Sequence, residues 1–244
     1  MDTWNEPALF DELDVFSDTP MAGNVADALR QHWLLRAKQL SKHTQSANGA
    51  PGGRGEVAAG SHLDPLLDLL RVSVSIPAGV TVHWKRGDTG MALPGWFRTA
   101  KNWDLVYRRS GKPIAVVELK SLMSSFGNNL NNRVEEAVGC AEDLDRAIRE
   151  GLISTPVWKG FVFVIADDPD SKKPSRSARA DGIDPVFEGV SYVQRASILS
   201  QRLQRSNLYN KTWFMSSSRE GRVTDLGGTS FGEFISSLSS ALDG

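Results

Sequence analysis

An acid and an amine lie two residues apart in the apolar run IAVVELK, as Glu118 and Lys120. A second acid, Asp104, lies in the preceding run NWDLVY. A hairpin centred on Gly111 would pair the two runs and place Asp104 directly opposite Glu118. Because side chains two residues apart share one face of a strand, Lys120 would join them, while Leu119 faces the other way. The sequence therefore predicts two carboxylates and one amine on a single patch.

Such a patch is suited to binding a divalent cation. At roughly 4 Å and an effective dielectric of ~20, two carboxylates repel by about 4 kcal/mol, so Asp104 and Glu118 need a compensating charge. Oxygen ligands without His or Cys prefer a hard cation, for which Mg²⁺ is the physiological choice. Such a metal acidifies a bound water and shields the charge on an attacked phosphate, and Lys120 could orient or deprotonate that water. The chemistry indicated is hydrolysis of a phosphodiester, with Asp104, Glu118 and Lys120 as catalytic residues.

The same residues also allow a simpler interpretation. Glu-x-Lys occurs by chance in many sequences, and exposed hairpins often carry a Glu and a Lys as a solvated cross-strand pair. Three features favour a catalytic role. They are the acid in hairpin register at Asp104, the apolar strand that carries Glu118 and Lys120, and the order of the surrounding helices and strands.

The elements that would position this patch are helices and strands in a mixed order, as their apolar spacing shows. The chain is predicted to begin with a helix at about 24–40 and a second helix with Asp64 as its N-cap and Pro65 as its first residue. Strands follow at 81–84, 103–108 and 114–120, then a helix at 133–150 capped by Asn132 and Glu135, and a buried strand at 160–166. The last predicted elements are a helix at 192–206, a strand at 211–216 and a helix at 231–242. The fold class is α/β. Its core would be helix, three strands, helix and strand, with a further helix, strand and helix appended.

The composition fits one globular domain with an appended arm, because 40% of the 244 residues are hydrophobic and 23% are charged. Residues 1–18 carry six acids and no Lys or Arg. The remainder has 23 acidic and 28 basic residues, a charge of about +5 that can bind phosphate where it is clustered. A Gly- and Ser-rich stretch, 41–60, is predicted to be a flexible linker between an N-terminal arm with a helix, 1–40, and the core domain, 61–244.

The composition also excludes several classes of protein. The single cysteine, Cys140, rules out an internal disulfide framework and a Cys-rich zinc site. No apolar run approaches ~18 residues, and the N-terminus is acidic where a signal peptide would be basic. We therefore expect no membrane span and a cytoplasmic location.

The signature Asp104…Glu118-Leu119-Lys120, in this order of elements, resembles the PD-(D/E)xK nuclease superfamily. Asp104 would take the role of the first acid, although Trp103 stands where that motif has proline. The resemblance implies a restriction-endonuclease-like core and a Mg²⁺ site to which Asp104, Glu118 and the backbone carbonyl of Leu119 contribute.

A closer likeness extends over most of residues 60–215. Four segments are similar to the XhoI family of type II restriction endonucleases, namely LPGWFRTAKNWDLV, AVVELKS, SFGNNLNNRVEEAVG and PVFEGVSYVQRASILSQRLQRSNLY. This resemblance implies a bacterial, cytoplasmic homodimer that cuts both strands of double-stranded DNA at a palindromic site. The site expected from the family is CTCGAG or a close relative.

Contacts to DNA are expected from two polar segments. SFGNNLNNR, predicted to be a loop after the strand of Glu118, would present Asn and Arg side chains that suit base edges and phosphates. A second loop, SKKPSRSAR, is basic. The candidate DNA-binding residues are Asn128, Asn129, Asn131, Asn132, Arg133, Lys172, Lys173 and Arg176. For both segments the alternative is an ordinary solvated loop of turn and capping residues.

Two further acids, Asp64 and Glu135, are candidates for the second sphere of the metal site. Each also suits a helix N-terminus, which offers an explanation without any metal. His62 and His83 have no metal-ligand spacing to other His or Cys residues, so we interpret them as structural.

Two other functions stay open on the sequence alone. A repair or junction-resolving nuclease could use the same core and would recognise the shape of DNA instead of its sequence. A nuclease fold that has lost its activity could serve as a DNA-binding module. The intact set of Asp104, Glu118 and Lys120 argues against such a module.

Overall fold

The computed structural model describes residues 20–47, 61–175 and 182–244. Helices lie on both sides of a six-stranded sheet, which confirms the α/β class. Within the described ranges, no helix is both long and apolar enough to cross a membrane. Arg176, predicted to bind DNA, lies outside the described residues, as does the whole acidic N-terminal segment 1–18.

The helices and strands follow the predicted order, with several additional short elements. The helices are α1 (Pro20–Ala47), α2 (Asp64–Val72), α3 (Phe126–Arg149), α4 (Pro169–Lys172), α5 (Tyr192–Arg205) and α6 (Phe231–Asp243). The strands are β1 (Val80–His83), β2 (Ala92–Pro94), β3 (Ala100–Asn102), β4 (Leu105–Arg109), β5 (Lys112–Leu122), β6 (Trp158–Ala166), β7 (Lys211–Ser217) and β8 (Val223–Leu226).

The main sheet has the strand order β1-β4-β5-β6-β7-β8. β4 pairs antiparallel with both β1 and β5. β6 and β7 run parallel to β5, and β8 is antiparallel to β7. The parallel strands require crossovers, which α3 and α5 provide. β5 therefore lies where the antiparallel part of the sheet meets the parallel part. β2 and β3 form a separate two-stranded sheet.

Apolar residues cover both faces of the main sheet. One core lies under α3 and α5, and the other lies under α1, α2 and α6. The side chains of β5 divide between the two, since Val117 and Leu119 belong to the second core and Val116 and Leu122 to the first. The predicted orientation of Leu119 is thus confirmed, and the domain is a three-layer α/β/α arrangement.

The hairpin of β4 and β5 determines which residues face each other. Leu105 pairs with Val117. Asp104, one residue before β4, therefore lies beside Glu118, one residue after Val117. The register predicted from the sequence is confirmed at the position that matters for the site.

The turn of this hairpin differs from the expected one. Only Ser110 and Gly111 connect the strands, and both have positive φ angles, 51° and 78°, as in a two-residue hairpin turn. Such a turn alone would shift the register by one residue. A bulge compensates, because the pairing slips between Tyr107 and Arg108 and leaves Ile114 as the extra residue on β5.

Helix α3 begins earlier than predicted. The expected start near residue 133, with Asn132 as a cap, is wrong, because the helix starts at Phe126 after Ser125 in a left-handed conformation. Phe126 and Leu130 are buried in the core, and their burial outweighs the low helix propensity of the asparagines between and after them. The Asn-rich segment is therefore the first two turns of a helix and not a loop.

The N-terminal part of the chain also departs from expectation. α1 extends to Ala47, so the beginning of the segment predicted to be a linker is helical, while 48–60 lie outside the described residues. Val25 and Leu29 of α1 are buried in the second core, so this helix packs on the domain. At α2 the cap is Leu63, without a side-chain hydrogen bond, and Asp64 is the first helical residue instead of the predicted N-cap.

Candidate active site

The hairpin brings three of the predicted residues together. Lys120 forms an ion pair with Oε1 of Glu118, which shares its face of β5. The carboxylate of Asp104 reaches the same strand, where its Oδ2 accepts a hydrogen bond of 2.7 Å from the backbone N–H of Leu119. The side chain of Glu118 is only 4% exposed. Two acids and one amine thus converge on β5 in a largely dry setting.

The two acids repel each other in this setting. Burial, together with the nearby charge of Glu118, raises the pKa of Asp104 to about 6, although Lys120 and the Leu119 N–H oppose the shift. A second buried carboxylate close enough to act on the first is costly unless positive charge compensates it. The arrangement is therefore one that a bound cation would stabilise.

Lys120 is an ammonium in this arrangement. Burial by itself would lower the pKa of Lys120, but the carboxylates of Glu118 and Asp104 outweigh burial and raise the pKa above its usual value. A positively charged Lys120 can orient a water and stabilise negative charge. Orienting a water is one of the two roles predicted for Lys120, and an ammonium is suited to it.

A second lysine, Lys101, completes the charge balance, and the sequence analysis did not identify it. Its Nζ lies 2.8 Å from Oε2 of Glu118, so each carboxylate oxygen of Glu118 holds one ammonium. Lys101 lies on β3, three residues before Asp104 in the chain. A three-residue strand shows no periodicity that sequence reasoning could use, so only the folded structure brings Lys101 to the site.

The ligands available at this site fit Mg²⁺. Asp104 and Glu118 offer carboxylate oxygens, and the N–H and C=O of a strand residue point to the same side. The Leu119 carbonyl therefore faces Asp104, as the Leu119 N–H does. Among the residues that the structure describes, no group of three or more His, Cys, Asp or Glu could hold a metal. Two carboxylates, one carbonyl and several retained waters are a typical set of ligands for Mg²⁺.

The two acids predicted for the second sphere lie in other environments. Asp64 is exposed, and burial raises its pKa while the charge of Arg86 opposes the shift. Glu135 lines a groove between α3 and α5. The next residue, Glu136, is the one whose charge acts on Lys120.

The residues of the Asn-rich run lie on different faces of α3. Asn128 lines a polar groove of about 430 Å³ at the end of β5. Asn129 Nδ2 donates to the backbone carbonyl of Ser124 at 3.1 Å, and Asn131 accepts from Arg195 at 2.8 Å. Asn132 is exposed, one turn beyond Asn128.

Arg133 connects this helix to the active site. Its Nη2 lies 2.7 Å from Oε1 of Glu136, and Glu136 is one of the charges acting on Lys120. The other carboxylate oxygen of Glu136 is buried and has no hydrogen-bond partner within the described structure. Arg133 and Glu136 therefore form a charged pair at the edge of the catalytic patch.

The lysines of the predicted basic loop are paired with acids. Lys172 contacts Asp167, and Lys173 Nζ lies 2.6 Å from Asp170. Both lysines are well exposed, so these ion pairs are weak and the lysines can still reach a phosphate. In the described part of this segment, however, the acids reduce the net positive charge that the sequence suggested.

A buried acid positions the segment that leads to Lys101. Asp143 on α3 accepts hydrogen bonds from the backbone N–H groups of Trp96 and Phe97, at 2.8 and 2.7 Å. It also forms an ion pair of 2.8 Å with Arg98. The side chains of Trp96 and Phe97 are themselves largely exposed. This loop is thus attached to α3 at the point where the chain enters β3.

The two histidines nearest the site link α1 to β5. His32 Nδ1 lies 2.6 Å from the backbone carbonyl of His62, and His62 Nε2 lies 3.0 Å from Oγ of Ser121. Burial, with the charges of His32 and Arg36, lowers the pKa of His62 to about 4. These contacts support the prediction that His62 is structural.

Comparison with known proteins adds independent information. The family described as restriction endonuclease XhoI matches residues 42–228 of this chain. Type II restriction enzyme XhoI of Xanthomonas vasicola is 35% identical over 181 residues, which cover 71% of each chain. Type II restriction enzyme BstVI of Geobacillus stearothermophilus is 33% identical over 186 residues, 72% of this chain and 83% of that enzyme. Type II restriction enzyme AbrI of Azospirillum brasilense is 37% identical over 120 residues, 45% of this chain and 53% of its own. No solved structure matches the chain significantly.

Proposed function

The chain belongs to the XhoI restriction endonuclease family, and on this basis we propose that it is a Mg²⁺-dependent type II restriction endonuclease. The observation that carries the metal-dependent mechanism is the convergence of Asp104, Glu118 and Lys120 on one patch of β5. The mixed sheet, with helices on both faces, is compatible with a restriction-endonuclease-like fold.

The roles of the residues follow from their positions. Mg²⁺ held by Asp104, Glu118 and the Leu119 carbonyl would supply an acidified water and would shield the charge of the attacked phosphate. The Leu119 N–H holds the Asp104 carboxylate in place against β5. Lys120, kept charged by the two acids, orients the attacking water and stabilises the negative charge that develops in the transition state.

The proposed substrate is double-stranded DNA with a palindromic site, CTCGAG or a close relative, read by a homodimer. Two-fold symmetric partners suit palindromes, since each subunit then meets the same half-site. The exposed side chains of Asn128 and Asn132, one turn apart at the start of α3, are suited to base edges near the site. Repulsion by the acids of the Lys172 segment makes that segment a weaker candidate for DNA contact than α3.

The activity is tested by incubating the purified protein with plasmid and genomic DNA, with Mg²⁺ or with excess EDTA. Discrete fragments that require Mg²⁺ support a site-specific endonuclease. Cutting restricted to branched DNA would indicate a junction-resolving nuclease, and binding without cutting would indicate a DNA-binding module. Full cleavage in EDTA would refute the metal-dependent mechanism.

Two further measurements test the specificity and the assembly. Sequencing the cut ends of digested genomic DNA identifies the site directly, and a consensus unrelated to CTCGAG would refute the proposed sequence but leave the nuclease assignment intact. Sedimentation of the protein on a duplex containing the mapped site should give a dimer. A single subunit on the DNA would contradict the homodimer.

A further inference from the structure

Lys101 is held in the active site by a set of interactions that an incidental surface lysine would lack. Its ammonium lies 2.8 Å from Oε2 of Glu118 and 3.2 Å from the backbone carbonyl of Asn102. It also lies 4.8 Å from the ring centroid of Trp103, which is fully buried. The side chain of Lys101 is only 12% exposed. Fixing a long lysine in one rotamer has an entropic cost, and three partners together offset it.

The Lys101 ammonium would compete with a metal for one oxygen of the Glu118 carboxylate. Oε1 of Glu118 holds Lys120 and Oε2 holds Lys101, so both oxygens of a proposed metal ligand are already neutralised by ammonium groups. A divalent cation bound to Glu118 would lie beside the Lys101 ammonium, and the two positive charges would repel each other. A divalent cation that binds the Oε2 side of Glu118 therefore requires the Lys101 ammonium to move away.

An ammonium displaced from this carboxylate has a natural new partner. Lys101 lies on the short β2–β3 sheet, three residues before Asp104, so its side chain starts close to the acids at which the proposed reaction would hold the scissile phosphate. The charges of these two acids and two lysines sum to zero. A bound dication would add two positive charges to these four side chains. That excess suits the negative charge of a phosphodiester and the additional negative charge of its transition state.

We propose that Lys101 is a second active-site lysine that occupies Glu118 in the metal-free enzyme, is displaced by the divalent cation, and then contacts a DNA phosphate at the cleavage site. Lys101 thereby couples metal binding to DNA binding. The inference rests on the proposed function of the site as a metal-dependent nuclease.

The first test measures Mn²⁺ binding to the DNA-free protein by calorimetry, with wild type, Lys101→Met and Lys101→Arg. Lys101→Met removes the competing charge but keeps most of the apolar stem, so it should bind Mn²⁺ more tightly, on the order of tenfold. Lys101→Arg retains the charge and should bind Mn²⁺ with near wild-type affinity. A matched control is Lys112→Met, which changes an exposed lysine at the hairpin end of β5 and should leave Mn²⁺ affinity unchanged.

The second test measures binding to a short duplex that contains CTCGAG, in Ca²⁺ and in EDTA. Lys101→Met should weaken binding only in Ca²⁺ and should reduce the slope of log affinity against log salt by about one. In EDTA, where Lys101 is paired with Glu118, the variant should bind as wild type does.

The outcomes separate this inference from the proposed function. Lys101→Met with unchanged or weaker Mn²⁺ affinity, in a wild type that binds Mn²⁺, would overturn the role of Lys101 alone. A wild type that neither binds Mn²⁺ nor cleaves DNA would overturn the metal-dependent function itself. Circular dichroism and the melting temperature establish that each variant is folded, and Lys101→Gln replaces Lys101→Met if the latter does not fold.

Discussion

The backbone N–H of Leu119 donates a hydrogen bond of 2.7 Å to Oδ2 of Asp104, across the end of the β4–β5 hairpin. This bond joins the first acid of the site to the strand that carries Glu118 and Lys120. An asparagine at position 104 can still accept it, because its amide oxygen replaces the carboxylate oxygen. The position therefore allows the charge to be removed while the geometry is kept.

Asp104→Asn should lower the rate of DNA cleavage by at least about 1,000-fold, since a metal-bound carboxylate contributes several kcal/mol to the transition state. The pKa of Asp104 is about 6 in the native state, above its usual value in the unfolded chain. Ionising Asp104 is therefore harder in the native state, and its charge destabilises the folded protein above pH 6. At pH 8 the variant should therefore be more stable than wild type by about 1–3 kcal/mol, and the gain should vanish near pH 4. Urea unfolding at both pH values and single-turnover cleavage measure the two effects. Wild-type cleavage by this variant would end the proposed mechanism.

Glu118→Gln should also abolish cleavage, but with the opposite effect on stability. The change leaves the ammonium groups of Lys120 and Lys101 without their shared carboxylate in a mostly buried site. We expect the free energy of unfolding to fall by about 3 kcal/mol, as when one partner of a buried ion pair is removed. Urea unfolding of Glu118→Gln and Asp104→Asn under the same conditions measures the difference between their free energies of unfolding. Equal stabilisation of the two variants would show that the lysines do not depend on Glu118.

The identity of the divalent cation should separate binding from cleavage. Mg²⁺ should support cleavage, while Ca²⁺ should support DNA binding with little cutting, because its looser coordination positions and acidifies water poorly. Gel shift and cleavage assays with each cation at equal concentration provide the measurement. Comparable cleavage rates in Ca²⁺ and Mg²⁺ would argue against a site of the proposed geometry.

The histidines that link α1 to β5 should make the fold sensitive to acid. Burial lowers the pKa of His62 to about 4 and that of His32 below its usual value, whereas both titrate near 6.5 when unfolded. Between pH 6.5 and 4 these two histidines thus bind more protons in the unfolded chain than in the native one, so their contribution to stability falls as the pH falls through this range. Because the raised pKa of Asp104 acts in the opposite direction in both proteins, the urea midpoint should fall more, or rise less, from pH 7 to pH 5 in wild type than in His62→Gln. The same slope in both proteins would exclude His62 as the source.

Removal of the Asp143 carboxylate should destabilise the protein and reduce its activity. Asp143→Ala leaves two backbone N–H groups and Arg98 without their buried acceptor, at a cost of about 3 kcal/mol or more. The loop of Trp96 and Phe97 leads into β3, so the position of Lys101 should suffer as well. Glu142→Ala is the control, since Glu142 forms an exposed pair with Arg149 worth about 0.5 kcal/mol. Chemical denaturation distinguishes them, and equal stability of the two variants would refute the anchoring role.

The sequence alone determined the part of the site that depends on local geometry. Strand alternation places Glu118 and Lys120 on one face, and hairpin pairing brings Asp104 beside Glu118. Both relations extend over only 17 residues of chain, from Asp104 to Lys120, and follow from the two-residue period of a strand. The register was predicted from the wrong turn, because a tighter turn at Ser110 and the bulge at Ile114 shift it in opposite directions.

Tertiary structure decided what local pattern could not. Asn favours loops and caps when considered alone, yet burial of Phe126 and Leu130 makes the Asn-rich run helical. Lys101 reaches Glu118 from a separate two-stranded sheet, and Asp143 attaches the loop before the second strand of that sheet to α3. These contacts join segments 17 to 47 residues apart in the chain. Their energies come from burial and charge pairing between those segments, and neither is visible in the spacing of residues along the sequence.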